Sequence, residues 1–209
     1  MHAIFRGVAV IPVLTIDRER DAVPLARALF EGGLPVVEVT MRTAAAGAAV
    51  AAIRRELAQV VVGAGTLLRA ADVAMAIQAG AGFLVSPGLT PELAAAALAA
   101  ELPYLPGVAT PSEVMAARAL GICVMKFFPA EALGGAAWLR ALAPVFPGVA
   151  FCPTGGIDET RAAEYLTLAN VPMVGGSWMV PRDAVAAGDW RRIRRLAERA
   201  AAIGRREAA

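Results

Sequence analysis

Short apolar segments alternate with longer segments of helical pattern along nearly the whole chain. The apolar segments are often β-branched, as expected of strands that are buried on both faces. We predict eight strands from them, at residues 8–14, 36–40, 60–65, 83–86, 104–107, 124–127, 150–153 and 171–175.

The segments between these strands predict helices, and several have clear start signals. Thr110-Pro111-Ser112-Glu113 combines an N-cap threonine, a proline at the first helical position and a glutamate that can complete a capping box. Thr90 precedes a proline in the same way, and Thr43, Asp158 and Asp189 are further predicted N-caps. The predicted helices are 21–30, 44–57, 70–79, 91–100, 111–120, 136–143, 159–168 and 190–202.

Eight strands that alternate with eight helices predict a parallel α/β fold. This pattern fits a closed (β/α)8 TIM barrel and also an open, doubly wound sheet. The G-x-G-x-x-G fingerprint of a dinucleotide-binding open sheet does not follow the first predicted strand. Because the unit also repeats regularly and no linker divides the chain, we expect a single (β/α)8 barrel domain over residues 1–209.

The composition narrows the possible locations and partners. Apolar residues make up 58% of the chain, but proline, glycine or charge interrupts every run before the roughly 20 residues that a membrane span needs. The N-terminal segment lacks a clear cleavage site, so we expect no signal peptide. The basic residues of 191–206 fit a solvated helix face and lack the features of a nucleic-acid site. We therefore expect a cytoplasmic protein with no membrane or nucleic-acid partner.

Reactive side chains are few. The only histidine, His2, stands at the N-terminus, which argues against a Ser-His-Asp triad, a Cys-His pair and a histidine-based metal site. Cys123 and Cys152 lie in apolar segments, so we expect buried free thiols in a reducing compartment.

The chain has one lysine, Lys126, beside nineteen arginines. An arginine stays protonated and cannot form an imine, whereas a lysine amine can lose its proton and attack a carbonyl. Lys126 lies near the end of an apolar predicted strand, where poor hydration favours the neutral amine. We interpret it as a covalent nucleophile, and the alternative is an ordinary buried ion pair with Glu38.

Other polar residues follow the ends of predicted strands, where barrels carry their chemistry. Glu38 lies inside a buried strand and is either a countercharge or a general acid and base. Arg42 could hold a substrate carboxylate in a bidentate fork or form a salt bridge at the rim. Two glycine pairs, 155–156 and 175–176, follow the last two strands, where phosphate groups frequently bind.

Six motifs together resemble the 2-keto-3-deoxy-6-phosphogluconate (KDPG) aldolase and 4-hydroxy-2-oxoglutarate (KHG) aldolase family, class I lyases of the Entner–Doudoroff pathway. The motifs are EVTMRT at 38–43, GAGT at 63–66, SPGL at 86–89, KFFPAE at 126–131, FCPTGGI at 151–157 and GGSW at 175–178. They span nearly the whole chain. Leu133 departs from the family pattern, which has a small or polar residue there.

The resemblance implies a role for each matched residue. Lys126 would form the imine and Glu38 would be the general acid and base. The substrate-binding residues that it implies are Arg42 and Thr66 at the pyruvyl carboxylate, Pro87 beside them, Phe128 and Thr154 at the middle of the substrate, and Gly155, Gly156, Gly176 and Ser177 at the phosphate. It also implies a homotrimer that acts on small sugar-acid phosphates and pyruvate with no metal and no other cofactor.

Several functions stay open at this point. A KHG aldolase would share the lysine and the glutamate, whereas a phosphate-binding isomerase or epimerase would use the glycines without a covalent lysine. A sugar-phosphate sensor would tolerate loss of the Lys126–Glu38 pair. Within the aldolase interpretation, the Thr154 hydroxyl favours the gluconate-derived epimer over the galactonate one, unless Thr154 only caps the following turn.

Overall fold

The computed structural model describes residues 3–205, so His2 lies outside it. Nine strands are present there: β1 Val10–Leu14, β2 Val36–Thr40, β3 Val61–Gly65, β4 Leu84–Val85, β5 Tyr104–Leu105, β6 Gly107–Val108, β7 Val124–Phe127, β8 Ala150–Pro153 and β9 Val174–Gly176. The helices are α1 Glu19–Glu31, α2 Ala46–Glu56, α3 Ala70–Gln78, α4 Pro91–Ala99, α5 Pro111–Ala119, α6 Gly135–Leu142, α7 Glu159–Leu166, α8 Arg182–Ala187 and α9 Trp190–Arg205. Two 3₁₀ turns, Ala3–Phe5 and Glu131–Leu133, complete the description.

The strands form two sheets, and the predicted closed eight-stranded barrel is therefore wrong. Six strands pair in the order β5-β4-β3-β2-β1-β9, and three pair in the order β6-β7-β8. All the pairings are parallel, which confirms the α/β class.

The ladder is interrupted at two places. Residues 104–107, predicted as one strand, are β5 and β6 on either side of Pro106, which has no N–H to donate. β5 pairs with β4, whereas β6 pairs with β7 and the Pro106 carbonyl accepts from the Lys126 N–H at 2.8 Å. At the other junction, a single bridge between Thr154 and Gly175 links the chain after β8 to β9. The change of sheet at Pro106 and this lone bridge leave two sheets in place of one closed ladder.

Most helix starts are as predicted. The Thr110 hydroxyl accepts from the Glu113 N–H at 3.3 Å, and the Glu113 carboxylate accepts from the Thr110 N–H at 2.8 Å, which completes the capping box. Side chains of Thr90, Asp158 and Asp189 also accept from the first turns of their helices. The Thr43 prediction is wrong, because its hydroxyl donates to the Ile16 carbonyl and α2 begins later.

The core covers both faces of the longest strands. All five residues of β2 are buried, and Val37 and Val39 belong to the large apolar cluster, which also contains residues of the helices. Phe83 belongs to a second cluster, and its ring lies where a side chain on Gly63 would be, so strand β3 can carry only hydrogen at that point. No helix among residues 3–205 is both long enough and apolar enough to cross a bilayer.

Candidate active site

A buried pair of opposite charges joins the two sheets. Glu38 is in β2, Lys126 is in β7, and 88 positions separate them along the chain. The Lys126 Nζ lies 3.2 Å from Glu38 Oε1 and 3.5 Å from Oε2. Only 6% of Lys126 and 4% of Glu38 are exposed. Each charge compensates the other's loss of hydration, so this geometry suits both an ion pair and a nucleophile with its proton carrier.

Gly65 leaves the space that the Glu38 carboxylate occupies. A Cβ on Gly65 would lie 2.5 Å from Glu38 Cδ and 2.6 Å from Cγ, well inside van der Waals contact. A glycine is therefore needed at the end of β3 for Glu38 to point towards Lys126.

Aromatic side chains and a buried thiol surround Lys126. The Phe128 ring centroid lies 5.4 Å from Nζ, and Phe127 stacks on Trp138 with 4.2 Å between ring centroids. Cys152 pairs with Lys126 across β7 and β8 and is buried as predicted, whereas Cys123 is exposed, contrary to prediction. Burial raises the pKa of the Cys152 thiol to about 12, so this neighbour stays protonated at neutral pH.

Arg42 follows β2 and is exposed at the rim. Its Nη2 donates to the Thr15 hydroxyl at 3.1 Å. No carboxylate among residues 3–205 lies within 4.0 Å of its guanidinium. The structure therefore does not support the alternative of a rim salt bridge, and the guanidinium is available for an anionic ligand.

A cavity of about 520 Å³ lies beside Arg42, and Thr15, Arg18, Ser177 and Arg182 also line it. The predicted carboxylate-binding Arg42 and the predicted phosphate-binding Ser177 thus border one space. Lys126 and Glu38 do not line this cavity.

Thr66 and Pro87 lie after β3 and β4. Thr66 has φ 61°, a backbone conformation that non-glycine residues rarely adopt and that often marks functional positions. Pro87 is partly buried, and its carbonyl lies where a side chain on Gly107 would be.

Thr154 is buried directly after β8, and its hydroxyl donates to the Cys152 carbonyl at 3.3 Å. Gly175 makes room for this side chain, because a Cβ there would overlap the hydroxyl. Gly155 and Gly156 follow with φ 103° and 77°, a turn that favours glycine. Gly176 is buried against the ring of Trp178, and Ser177 between them is exposed.

Glu131, which follows β7 in the Glu131–Leu133 turn, already has partners. It forms an ion pair with Arg161 and accepts a hydrogen bond from the Tyr165 hydroxyl at 2.6 Å. Leu133, which departs from the family pattern, is partly buried against the apolar core. Among residues 3–205, no group of three histidine, cysteine or acidic side chains has an arrangement that could hold a metal ion.

Thr15 and Gly65 are two site residues to which the sequence analysis gave no role. Thr15 directly follows the end of β1. The other candidate residues were chosen because they follow the ends of their strands, so the same criterion could have found Thr15. Gly65 belongs to the GAGT motif, but the need for its missing side chain emerges only from the approach of Glu38.

Comparison with known proteins identifies the family. The model of the KDPG and KHG aldolase family matches residues 1–196. A 2-dehydro-3-deoxy-phosphogluconate aldolase from Treponema pallidum (strain Nichols) is 49% identical over 191 residues, which cover 91% of either chain.

Two solved structures share the fold throughout. A KDPG aldolase from Legionella pneumophila, with pyruvate captured as a covalent carbinolamine, has a TM-score of 0.91 and 45% identity, and the match covers 94% of this chain and 95% of that one. The KDPG aldolase of Zymomonas mobilis with 3-phosphoglycerate has a TM-score of 0.90 and 46% identity, over 96% and 94% of the two chains. The predicted carbon–carbon lyase is thus confirmed, and the chain belongs to the KDPG and KHG aldolase family.

Proposed function

We propose that this chain is a class I aldolase that cleaves KDPG to pyruvate and glyceraldehyde 3-phosphate. Lys126 forms the imine, and Glu38 is the general acid and base. The observation that carries the proposal is the buried contact of 3.2 Å between the only lysine of the chain and a carboxylate. The covalent carbinolamine of pyruvate in the Legionella relative supports an imine route for a chain 45% identical to it.

The reaction begins when Lys126 passes a proton to Glu38 and the resulting neutral amine attacks the C2 ketone of the substrate. Glu38 moves the protons while the carbinolamine loses water to give a protonated imine. This imine accepts electrons readily. The contact between Nζ and both carboxylate oxygens supports proton transfer at this atom.

Bond cleavage uses the same two groups. Glu38, directly or through a water, removes the C4 hydroxyl proton, and the electrons of the C3–C4 bond move into the imine. Glyceraldehyde 3-phosphate leaves with its new C4 carbonyl. The enamine is then protonated at C3 and hydrolysed, which releases pyruvate and the free amine. No metal is needed, because the imine supplies the electron sink.

Each end of the substrate has its own binding residues in this proposal. Arg42 and Thr66 bind the pyruvyl carboxylate, and Pro87 lines that end. The Arg42 guanidinium supports this role, because no described carboxylate lies within 4.0 Å of it. Phe128 and Thr154 contact the middle of the substrate, and burial of the Thr154 hydroxyl next to β8 supports its part.

The phosphate lies against Gly155, Gly156, Gly176 and Ser177 in this proposal. The turn at the first two glycines and the exposed Ser177 beside the cavity support this arrangement. The Zymomonas relative binds 3-phosphoglycerate, a phosphorylated three-carbon acid, which also supports it. A single domain over 1–209 and a cytoplasmic location stay predictions from the sequence pattern and composition. A homotrimer and a place in the Entner–Doudoroff pathway stay predictions from the resemblance.

Trapping with borohydride tests the proposal. Incubation with pyruvate and borohydride should label Lys126 irreversibly, and mass spectrometry should locate the label. Lys126→Arg should lose both the label and KDPG cleavage while its circular dichroism stays unchanged. Labelling at the α-amine alone, or full activity of the arginine variant, would overturn the proposal.

Cleavage of 4-hydroxy-2-oxoglutarate is a second candidate activity, since the matching family includes KHG aldolases. The Lys126–Glu38 chemistry would be identical, and only the contacts beyond C4 would differ. The ratio of kcat/KM for the two substrates decides which one the chain prefers.

A further inference from the structure

A row of three hydrogen bonds connects Arg42 to the end of β1. Arg42 Nη2 donates to the Thr15 hydroxyl at 3.1 Å, the Thr15 and Thr40 hydroxyls lie 3.3 Å apart, and Thr40 Oγ1 donates to the Leu14 carbonyl at 2.9 Å. The row thus runs from an exposed guanidinium to a buried strand carbonyl.

The direction of these bonds is fixed by counting protons. A threonine hydroxyl has one proton to donate, and that of Thr40 goes to Leu14. The proton between the two threonines must therefore come from Thr15, whose oxygen then accepts from Arg42. All three bonds run the same way, so each strengthens the next.

The buried end of the row is rigid. Thr40 is 1% exposed and is the last residue of β2, which pairs with β1 and β3. Arg42, by contrast, is exposed, and an arginine side chain loses considerable rotamer freedom when it is held. A guanidinium has five N–H groups, so the bond to Thr15 leaves four for a ligand.

We propose that Thr15 is a positioning residue for Arg42, holding the guanidinium where it meets the substrate carboxylate. This inference rests on the proposed function, in which Arg42 binds the pyruvyl carboxylate. Thr15 lowers the pyruvate concentration needed for imine formation, and it takes no part in the chemistry at Lys126.

Thr15→Val tests the proposal, because it replaces the hydroxyl with a methyl group at nearly constant volume. The readout is borohydride trapping of pyruvate at graded concentrations. The half-saturating pyruvate concentration should rise about threefold to tenfold, the effect of one lost hydrogen bond, while the rate at saturation stays within about twofold. Thr15→Ser keeps the hydroxyl and should behave as the wild type. Thr43→Val is a matched control, because the Thr43 hydroxyl donates to the Ile16 carbonyl and should leave pyruvate binding unchanged.

The same substitution in an Arg42→Ala background separates positioning from direct contact. If Thr15 acts through Arg42, Thr15→Val should change nothing further there. An equal increase in both backgrounds would overturn the proposal, and so would an unchanged or a lowered half-saturating concentration in the single variant. Failure of the wild type to trap pyruvate at Lys126 would instead reject the proposed function.

Discussion

At the scale of single residues, a substitution of Glu38 tests its proposed role in proton transfer. Glu38→Gln keeps the shape of the side chain but removes proton transfer, so KDPG cleavage should fall about 10²–10⁴-fold. Pyruvate binding should be affected less than turnover. Steady-state kinetics and borohydride trapping measure the two effects.

Glu131→Gln is the matched control for Glu38→Gln. Glu131 is held by Arg161 and Tyr165, so its substitution should leave most of the cleavage rate. A Glu38→Gln variant with the wild-type rate would show that another group moves the proton.

Thr154 provides a test of the substrate epimer. Its hydroxyl donates to the Cys152 carbonyl, which leaves its lone pairs to accept from a C4 hydroxyl of one configuration. A satisfied rather than an unsatisfied polar contact is worth about 1–3 kcal/mol, so we expect the gluconate-derived substrate to be preferred by about 5–150-fold. Thr154→Val should narrow this ratio, chiefly by slowing KDPG cleavage, as kcat/KM for each epimer would show.

The exposed Thr167, whose hydroxyl donates to the Glu164 carbonyl, provides the control variant Thr167→Val. That substitution should leave the epimer ratio unchanged. If Thr154→Val slows both epimers equally, Thr154 only supports the turn.

At the scale of elements, strand β3 affects the active site because Gly65, its last residue, has no side chain and leaves room for Glu38 of β2. Gly65→Ala should displace the Glu38 carboxylate, because the added Cβ would overlap it. A misplacement of about 1 Å can cost about 10²-fold in rate, so we expect a loss of that order in kcat for KDPG.

Gly47→Ala, within α2, is the matched control, because nothing lies within 4 Å of its added Cβ. It should keep full activity and gain stability, since alanine favours a helix by about 1 kcal/mol over glycine. Equal activity of the two alanine variants would show that Glu38 tolerates displacement.

The observed elements also show which strand and helix bounds the sequence pattern could predict. The bounds of β2, β7 and β8 agree with the prediction, because each is a compact apolar run with clear ends. Helix α8 was not predicted, since its six residues are too few for a helical repeat to emerge. The Thr43 hydroxyl donates a hydrogen bond to the Ile16 carbonyl, in the loop that follows β1. The residues around Thr43 do not distinguish this long-range contact from an N-cap.

At the scale of the whole molecule, burial of Tyr165 makes the free energy of unfolding depend on pH in the alkaline range. Burial, with a further contribution from the charge of Glu164, raises the pKa of the Tyr165 hydroxyl to about 12, and Arg161 opposes the shift. The folded state therefore holds this proton more tightly than the unfolded state, whose tyrosine titrates near the ordinary value of 10.0. The stabilisation present below about pH 10 is lost as the pH rises towards 12.

Urea unfolding of the wild type and of Tyr165→Phe across this range tests the dependence. The variant should be less stable at neutral pH, because it lacks the hydrogen bond to Glu131, and its free energy of unfolding should fall less steeply above about pH 10. Part of the decrease in stability with pH should remain in Tyr165→Phe, because burial also raises the pKa of the Cys152 thiol to about 12. Parallel curves for the two proteins would contradict the assignment.

The burial of Lys126 and Glu38 was easier to predict than the closure of the fold. Each lies in a compact apolar strand, so a shared chemical role could be proposed for them before the distance between them was known. Closure depends on hydrogen bonds between particular neighbours. The apolar residues of 104–107 predict one strand, but they do not show that the two halves on either side of Pro106 pair with different sheets.

Because the chain has a single lysine and it is buried, the reactivity of this lysine reports local unfolding around β7. Among residues 3–205, the surface offers no ε-amine to amine-reactive dyes, because Lys126 is 6% exposed. Dye coupling at Lys126 should therefore be slow in the folded chain, and it should become faster when local unfolding separates β7 from Glu38. A lysine-specific protease should likewise spare the native chain and, after full unfolding, cut it once, into residues 1–126 and 127–209. Borohydride-trapped pyruvate should block both reactions, so that occupancy of the site can be counted on a gel.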